Sequence, residues 1–360
     1  MAFYLPWGIK IMKRSFYTLF GVLLLAGTTS GVSALAAVPE VSSNRVIELA
    51  TPNSAEKTPV ISSVSLDPAG KLLAAVGDDH LVRVFDVKTG KVVYRWGAHA
   101  DWIKASAFRA DGSILATSGA DRRIHLWDVA AGTQRDFGIP LQSINTLVCS
   151  PNGKIWAAAG FADKVWILDA EKNTVLHELA SPGNDIRALS FLPNGKQLAA
   201  AGRTGVVRVW DVENGNVVHN IQASQRRIYA LAYSPDGKIL AAGGQQRVVH
   251  LLDAATGKSL GDTPERPGEI LTLCFCNEDT LAAAGSGNVI HLWSVATKQE
   301  QCRLVGHTGS ITTLAFNGKA GTLISGGYDT TVRFWDMTAQ EQTRVTLRPA
   351  RSAVVPKKPE

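Results

Sequence analysis

Three histidines, His125, His250 and His291, occupy one position of a recurring unit, two residues before the tryptophan-type residue near its close. Arg83, Arg208 and Arg333 hold that position in other units. Imidazole is the commonest metal ligand and proton carrier, but a metal or acid–base centre needs several such groups converging on one point. Equivalent positions of successive units lie far apart unless they line a shared channel. The spacing therefore predicts polar side chains reaching solvent above a packed stem, and no metal site. The acidic pairs Asp78-Asp79 and Glu278-Asp279 fall in turns of different units, and the spacing supplies neither with a second partner. A glycine-rich phosphate loop with its lysine is absent. The four cysteines, 149, 274, 276 and 302, form neither a metal-type cluster nor a haem-attachment motif. Cys274 and Cys276 alternate on one strand face, where adjacent positions pair poorly as disulfides, so buried thiols are expected. No catalytic residue and no cofactor is indicated, which shifts the expectation from catalysis to recognition.

The elements that would carry a recognition surface come from an internal repeat. A ten-residue string ending in Trp-Asp or a degenerate equivalent closes at Asp86, Asp128, Asp169, Asp211, Asp253, Ser294 and Asp336, in steps of 41 or 42 residues. A fixed period of this length marks a closed or stacked repeat architecture. In the second unit, 103–108 alternates, Ala110-Asp111-Gly112 turns, 114–118 is apolar, Ala120-Asp121-Arg122 turns, 124–127 runs on and Ala131-Gly132 turns again. Residues tolerant of positive φ fill the matching turns elsewhere, as in Asn152-Gly153 and Asp236-Gly237. Each unit is thus a four-strand meander. Its second strand is small and apolar on both faces, as in Leu73-Ala74-Ala75 and Ala157-Ala158-Ala159, which suits twisted sheets packed closely around an axis.

The run from Ser325 to Asp336, Ser-Gly-Gly-Tyr-Asp-Thr-Thr-Val-Arg-Phe-Trp-Asp, preceded by Gly306-His307, resembles the Gly-His to Trp-Asp pattern of the WD-repeat β-propeller family. The resemblance covers about 300 residues in seven copies. It implies an all-β fold, a seven-bladed β-propeller of four-stranded antiparallel blades. It also implies a structural hydrogen-bonded tetrad, complete here in two units: His99, Thr117, Asp121 and Trp127, and His307, Ser325, Asp329 and Trp335. Elsewhere the tetrad decays, with Ala162 and Leu168, Thr204 before Trp210, Gln246 and Leu252, and Gly287 before Trp293. Closure needs a strand from each end of the chain in one blade. Both 44–50 and 342–348 read as a fourth strand, and the sequence leaves the choice open.

Upstream, Lys10 to Arg14, an apolar run over 16–26 and the small-residue sequence Ala34-Leu35-Ala36 have the order of a secretory signal peptide, expected to be cleaved after Ala36, with Met12 an alternative start. Its apolar core is short for a membrane span, so a membrane contact would come only through an uncleaved segment. The expected organisation is a signal peptide over 1–36, a linker over 37–43, the propeller over 44–348 and a disordered tail over 349–360. Removing residues 1–36 deletes three basic residues and lowers the net charge from +6 to +3, a mild excess that argues against a nucleic-acid partner.

Within the family, the loops into the first strand and between the second and third strands form a common recognition face. Aligning the units places Trp102, Lys104, Phe161, Asp185, Arg187, Arg203, Arg227, Tyr229, Glu269 and Tyr328 there, with Ser62, Ser143, Asn145, Ser310 and Thr312 between them. Aromatics and arginine are the types enriched at interface hot spots. Arg187, Arg203 and Arg227, taken as coming from consecutive blades, would form a basic sector beside Tyr229 suited to an acidic peptide or anionic glycan. The expectation is an exported, periplasmic or extracellular, non-enzymatic scaffold for a protein or peptide partner. The alternatives are a propeller hydrolase or lyase with an axial pocket, and a docking or sensor subunit of a larger envelope complex.

Overall fold

The computed structural model describes residues 38–49, 59–97, 99–137 and 144–338. The signal segment, Ser143, the alternative strand over 342–348 and the tail over 349–360 lie outside the described residues. Seven antiparallel sheets follow one another along the chain: blade 1 spans 61–97, blade 2 103–136, blade 3 144–180, blade 4 186–222, blade 5 228–262, blade 6 270–305 and blade 7 311–336. The fold is a seven-bladed β-propeller, as the repeat predicts.

The core sits between blades. Seven apolar clusters each join one blade to the next, the last returning from blade 7 to blade 1. The second strands show why their residues are small. In Leu72–Gly77, Leu73 and Ala75 pack toward blade 7 while Ala74 and Val76 pack toward blade 2. A strand buried on both faces must be apolar throughout, and close sheet approach limits its size. The aspartate that ends six of the seven strings caps the turn after it: Asp86 Oδ1 accepts from Thr89 N at 2.6 Å and Thr89 Oγ1 at 2.7 Å. The four thiols form no disulfide; Cys276 and Cys302 lie in the core between blades 6 and 7, and Cys274 packs against it.

The N-terminal segment closes the ring. Strand β2 (Arg45–Glu48) pairs antiparallel with Thr331–Asp336 as the outer strand of blade 7. The expected linker over 37–43 is corrected: β1 (Glu40–Ser42) is a fifth strand on blade 6, parallel to Glu300–Val305, with Val41 opposite Leu304. The reason is an unpaired edge within reach. Blade 6 ends in a row of free backbone groups, and Pro39 O and the residues after it satisfy them, with Arg303 N donating to Pro39 O at 2.8 Å.

Candidate binding face at the channel mouth

The first strand of every blade carries a β-bulge after its first residue. In blade 4, Ile186 pairs with Gly202 and Ala188 with Ala201, which leaves Arg187 outside the ladder. The same shift releases Ser62, Lys104, Asn145, Tyr229, Leu271 and Thr312 in the other blades. A bulge re-aims its extra side chain, and here seven bulges deliver seven side chains to one end of the channel. The cost falls on the second strand, whose last residue faces the bulged backbone. A Cβ on Gly202 would lie 1.9 Å from the Asp185 carbonyl oxygen, and one on Gly244 would lie 2.1 Å from that of Arg227. Glycine at the end of all seven second strands was the available sequence signal for this ring.

Small bulge residues tie neighbouring blades together. Ser62 Oγ donates to Ile103 O at 2.5 Å and Thr312 Oγ1 to Ile61 O at 2.6 Å. Large ones stay available, and three cations meet aromatic rings. Lys104 Nζ lies 3.1 Å from the centroid of the Trp102 ring, the Arg187 guanidinium 4.9 Å from Phe161 and that of Arg227 5.9 Å from Tyr229. Burial, with the Arg187 charge nearby, pushes the Lys104 ammonium down to about 8, although Asp101 and Asp78 oppose the shift. Lys104 belongs to blade 2 and Arg187 to blade 4, and both bulge positions face the mouth, so their like charges repel.

Asp185 organises the opposite side. Its side chain is only 8 % exposed and forms ion pairs with Arg187 Nε at 2.6 Å and Arg227 Nη2 at 3.3 Å. The basic sector read from the sequence is thereby corrected in two ways. Arg187 and Arg203 both belong to blade 4, and the charge of Arg187 and Arg227 is partly neutralised by one carboxylate they share. Arg203 is exposed on the loop after the second strand of blade 4, and its backbone N–H donates to Asp185 O at 3.0 Å. Tyr328 lies at the Arg203 position of blade 7 and is 48 % exposed, and Glu269 lies at the Asp185 position of blade 6, both outside this chain of contacts. Two buried donors at the mouth, Trp102 Nε1 and Arg227 Nε, have no hydrogen-bond partner. Arg187 is held by Asp185 through its Nε contact and through Nη2, which donates to Asp185 Oδ2 at 3.4 Å. Buried donors left unpaired cost free energy that an acceptor on a partner would recover.

Both complete tetrads are hydrogen-bonded throughout. Trp335 Nε1 donates to Ser325 Oγ at 2.9 Å, Ser325 Oγ contacts His307 Nε2 at 2.7 Å, and His307 Nδ1 reaches Asp329 Oδ2 at 2.8 Å. The corresponding distances through Trp127, Thr117, His99 and Asp121 are 3.1, 2.9 and 2.9 Å. These side chains tie the loop into the first strand to the turn between the second and third strands of blades 2 and 7. The expectation that His125, His250 and His291 reach solvent is corrected: all three are buried, each bonded through Nδ1 to a fourth-strand carboxylate, Asp136, Asp262 and Glu300 respectively. The outer strand carries a matching acid, which a period count does not reveal.

Comparison with known proteins agrees with this architecture. The WD domain, G-beta repeat family matches residues 49–86, 90–128, 215–253 and 298–336, and the anaphase-promoting complex subunit 4 WD40 domain matches 179–230. The target of rapamycin complex subunit wat1 of Schizosaccharomyces pombe is 30% identical over 129 residues, 35% of this chain and 40% of that protein. The small ribosomal subunit protein RACK1 of Neurospora crassa is 30% identical over 115 residues, 32% of this chain and 36% of the relative. Cross-pathway control WD-repeat protein 2 of Flammulina velutipes is 28% identical over 129 residues, 35% and 41% of the two chains. The matches thus span about two fifths of these relatives, all of which are fungal proteins. Seven repeats, six of them closing on a turn aspartate, two complete tetrads and family matches in every region except blades 3 and 6 converge on one conclusion: the chain belongs to the WD-repeat family.

Proposed function

We propose that this protein is a non-enzymatic scaffold that binds an acidic segment of a protein partner across the channel mouth. The observation that carries the reading is the cluster of Trp102, Lys104, Arg187, Arg227 and Tyr229, which combines cations over aromatic rings with buried donors that have no partner. Arginine and aromatics in a rigid, preformed setting bind with little ordering cost, and carboxylates complement both the charge and the donors. Two relatives bear names that place them in assemblies, a target of rapamycin complex subunit and a small ribosomal subunit protein, which supports partner binding here. The tetrad residues act as architecture. Titration of the folded protein with an acidic peptide library, repeated with Trp102→Ala and Arg227→Ala, tests the face. Specific binding that both substitutions weaken supports it; binding unaffected by either moves the site elsewhere.

The same proposal places the mature chain outside the cytoplasm, on the order of charge, apolar run and Ala-Leu-Ala over residues 10–36 alone. Export with an N-terminus at Ala37 is the expected result of N-terminal sequencing. A retained full-length N-terminus in the cytoplasm would overturn it.

A further inference from the structure

Seven blades allow one position to be compared seven times. In blade 1, Arg83 Nη2 pairs with the turn aspartate Asp79 at 2.5 Å. In blade 7, Arg333 Nε stands 3.9 Å from Asp329, the tetrad aspartate. Where the turn carboxylate is kept in these blades, the third-strand position supplies a fixed cation. Blade 5 changes both members: His250 replaces the arginine and Gln246 the aspartate, and His250 Nε2 meets Gln246 Oε1 at 3.1 Å. Blade 2 changes only one. It keeps Asp121 but puts His125 where the arginine stands.

His125 Nδ1 is 2.6 Å from Asp136 Oδ1, with the Gln134 side-chain amide also at 2.6 Å. A carboxylate on Nδ1 holds the proton there and leaves Nε2 as a bare lone pair. That atom is buried, on a residue only 3 % exposed, and has no hydrogen-bond partner. Its ring packs against that of His99, with centroids 4.3 Å apart and planes at 71°. The ligand atoms of His99, Asp121 and His125 all lie within 4.8 Å of one another. Around a tetrahedral zinc ion, donor atoms are roughly 3.3 Å apart, so a small closing movement brings the three into a coordination shell.

We propose that His99, Asp121 and His125 bind one divalent transition metal of the zinc class, the cation that replaces the arginine of blades 1 and 7. Two imidazoles and one carboxylate are a donor set for such an ion, with Asp136 as the carboxylate behind His125 and a fourth position left for water. Binding changes the tautomer of His99 without net proton release: the single ring proton leaves Nδ1, which exchanges its bond to Asp121 for one to the metal. His99 Nε2 then carries the ring proton and donates it to Thr117. The connection that holds His99 also carries Trp102, so the ion would fix the loop beside the channel mouth.

The test is a titration of the chelator-stripped full chain with Co2+, read by its visible ligand-field absorption, beside His125→Arg, which restores the side chain found in blades 1 and 7. The expected result is one equivalent bound by the unsubstituted chain, at least tenfold weaker binding by the folded His125→Arg variant, and a rise in thermal midpoint with Zn2+ only in the former. His125→Gln serves as the second variant should His125→Arg fail to fold. Absence of saturable Co2+ binding, or equal binding by the folded variants, overturns the proposal.

Discussion

The Lys104 ammonium lies 3.1 Å from the centroid of the Trp102 ring, and burial brings its proton affinity down to about 8. If it helps hold an acidic partner, affinity should be highest near pH 7, where Lys104 is mostly charged, and should fall several-fold by pH 9, where it is mostly neutral. Lys104→Arg should bind equally at both. The sign for stability is opposite. Folding carries the cost of the buried charge in full below pH 8, and relief grows as pH rises through 8 toward the ordinary lysine value. Calorimetric titration at pH 7, 8 and 9 checks the first expectation; equal affinity at all three in the unsubstituted chain refutes it.

Asp185 is shared by Arg187 and Arg227. Asp185→Asn should lower stability by about 1–3 kcal/mol, because two half-buried guanidinium groups lose their counter-charge. The same change should tighten an acidic peptide at low salt, since both cations become available. Urea unfolding and peptide titration on one preparation measure the two effects; weaker peptide binding with unchanged stability would contradict the assignment.

Burial alone would raise the Asp329 carboxyl. Hydrogen bonds from His307, Thr308 N and Thr331 outweigh it and hold the group well below the usual carboxylate range. Its contribution is complete above the unfolded value near 4 and is lost as pH falls below it. Thermal midpoints from pH 7 to pH 3 should therefore drop more steeply for the unsubstituted chain than for Asp329→Asn, which is already destabilised at pH 7. Parallel curves would remove the carboxylate from the account.

Gly202→Ala should cost at least about 2–3 kcal/mol, because its Cβ would meet the Asp185 carbonyl at 1.9 Å and the bulge has no room to yield. Gly132→Ala is the control. That glycine has open space around its Cβ position and a φ of 67°, so it should lose only about 1 kcal/mol. Denaturant midpoints of the two variants decide whether close approach or backbone conformation dominates.

A chain beginning at residue 44 keeps β2 but loses β1, and should remain folded with about 1–2 kcal/mol less stability from the uncovered edge and the lost Val41 packing. A chain beginning at residue 51 also loses the outer strand of blade 7 and buried Leu49. It should lose at least about 3 kcal/mol and unfold over a broader range. Equal midpoints for the two truncations would show that β2 does not close the ring.

The sequence by itself determined the number of blades, because the 41- and 42-residue steps from Asp86 to Asp336 are local spacing that survives even where Ser294 replaces the aspartate. It also determined the two tetrads, since His99 and Asp121 or His307 and Asp329 fall at fixed offsets within one repeat. What it could not determine involves residues distant in the chain. The choice of Arg45–Glu48 for the outer strand of blade 7, and the pairing of Glu40–Ser42 with blade 6, depend on which unpaired edges lie within reach once the ring closes. The convergence of Lys104, Arg187 and Tyr229 on the mouth depends on bulges that add a residue to one strand without changing the period. The burial of His125 was hidden for a related reason: Asp136, on a neighbouring strand, satisfies its Nδ1, and only the folded sheet places the two side by side. Period is a property of the chain, whereas convergence is a property of the closed ring.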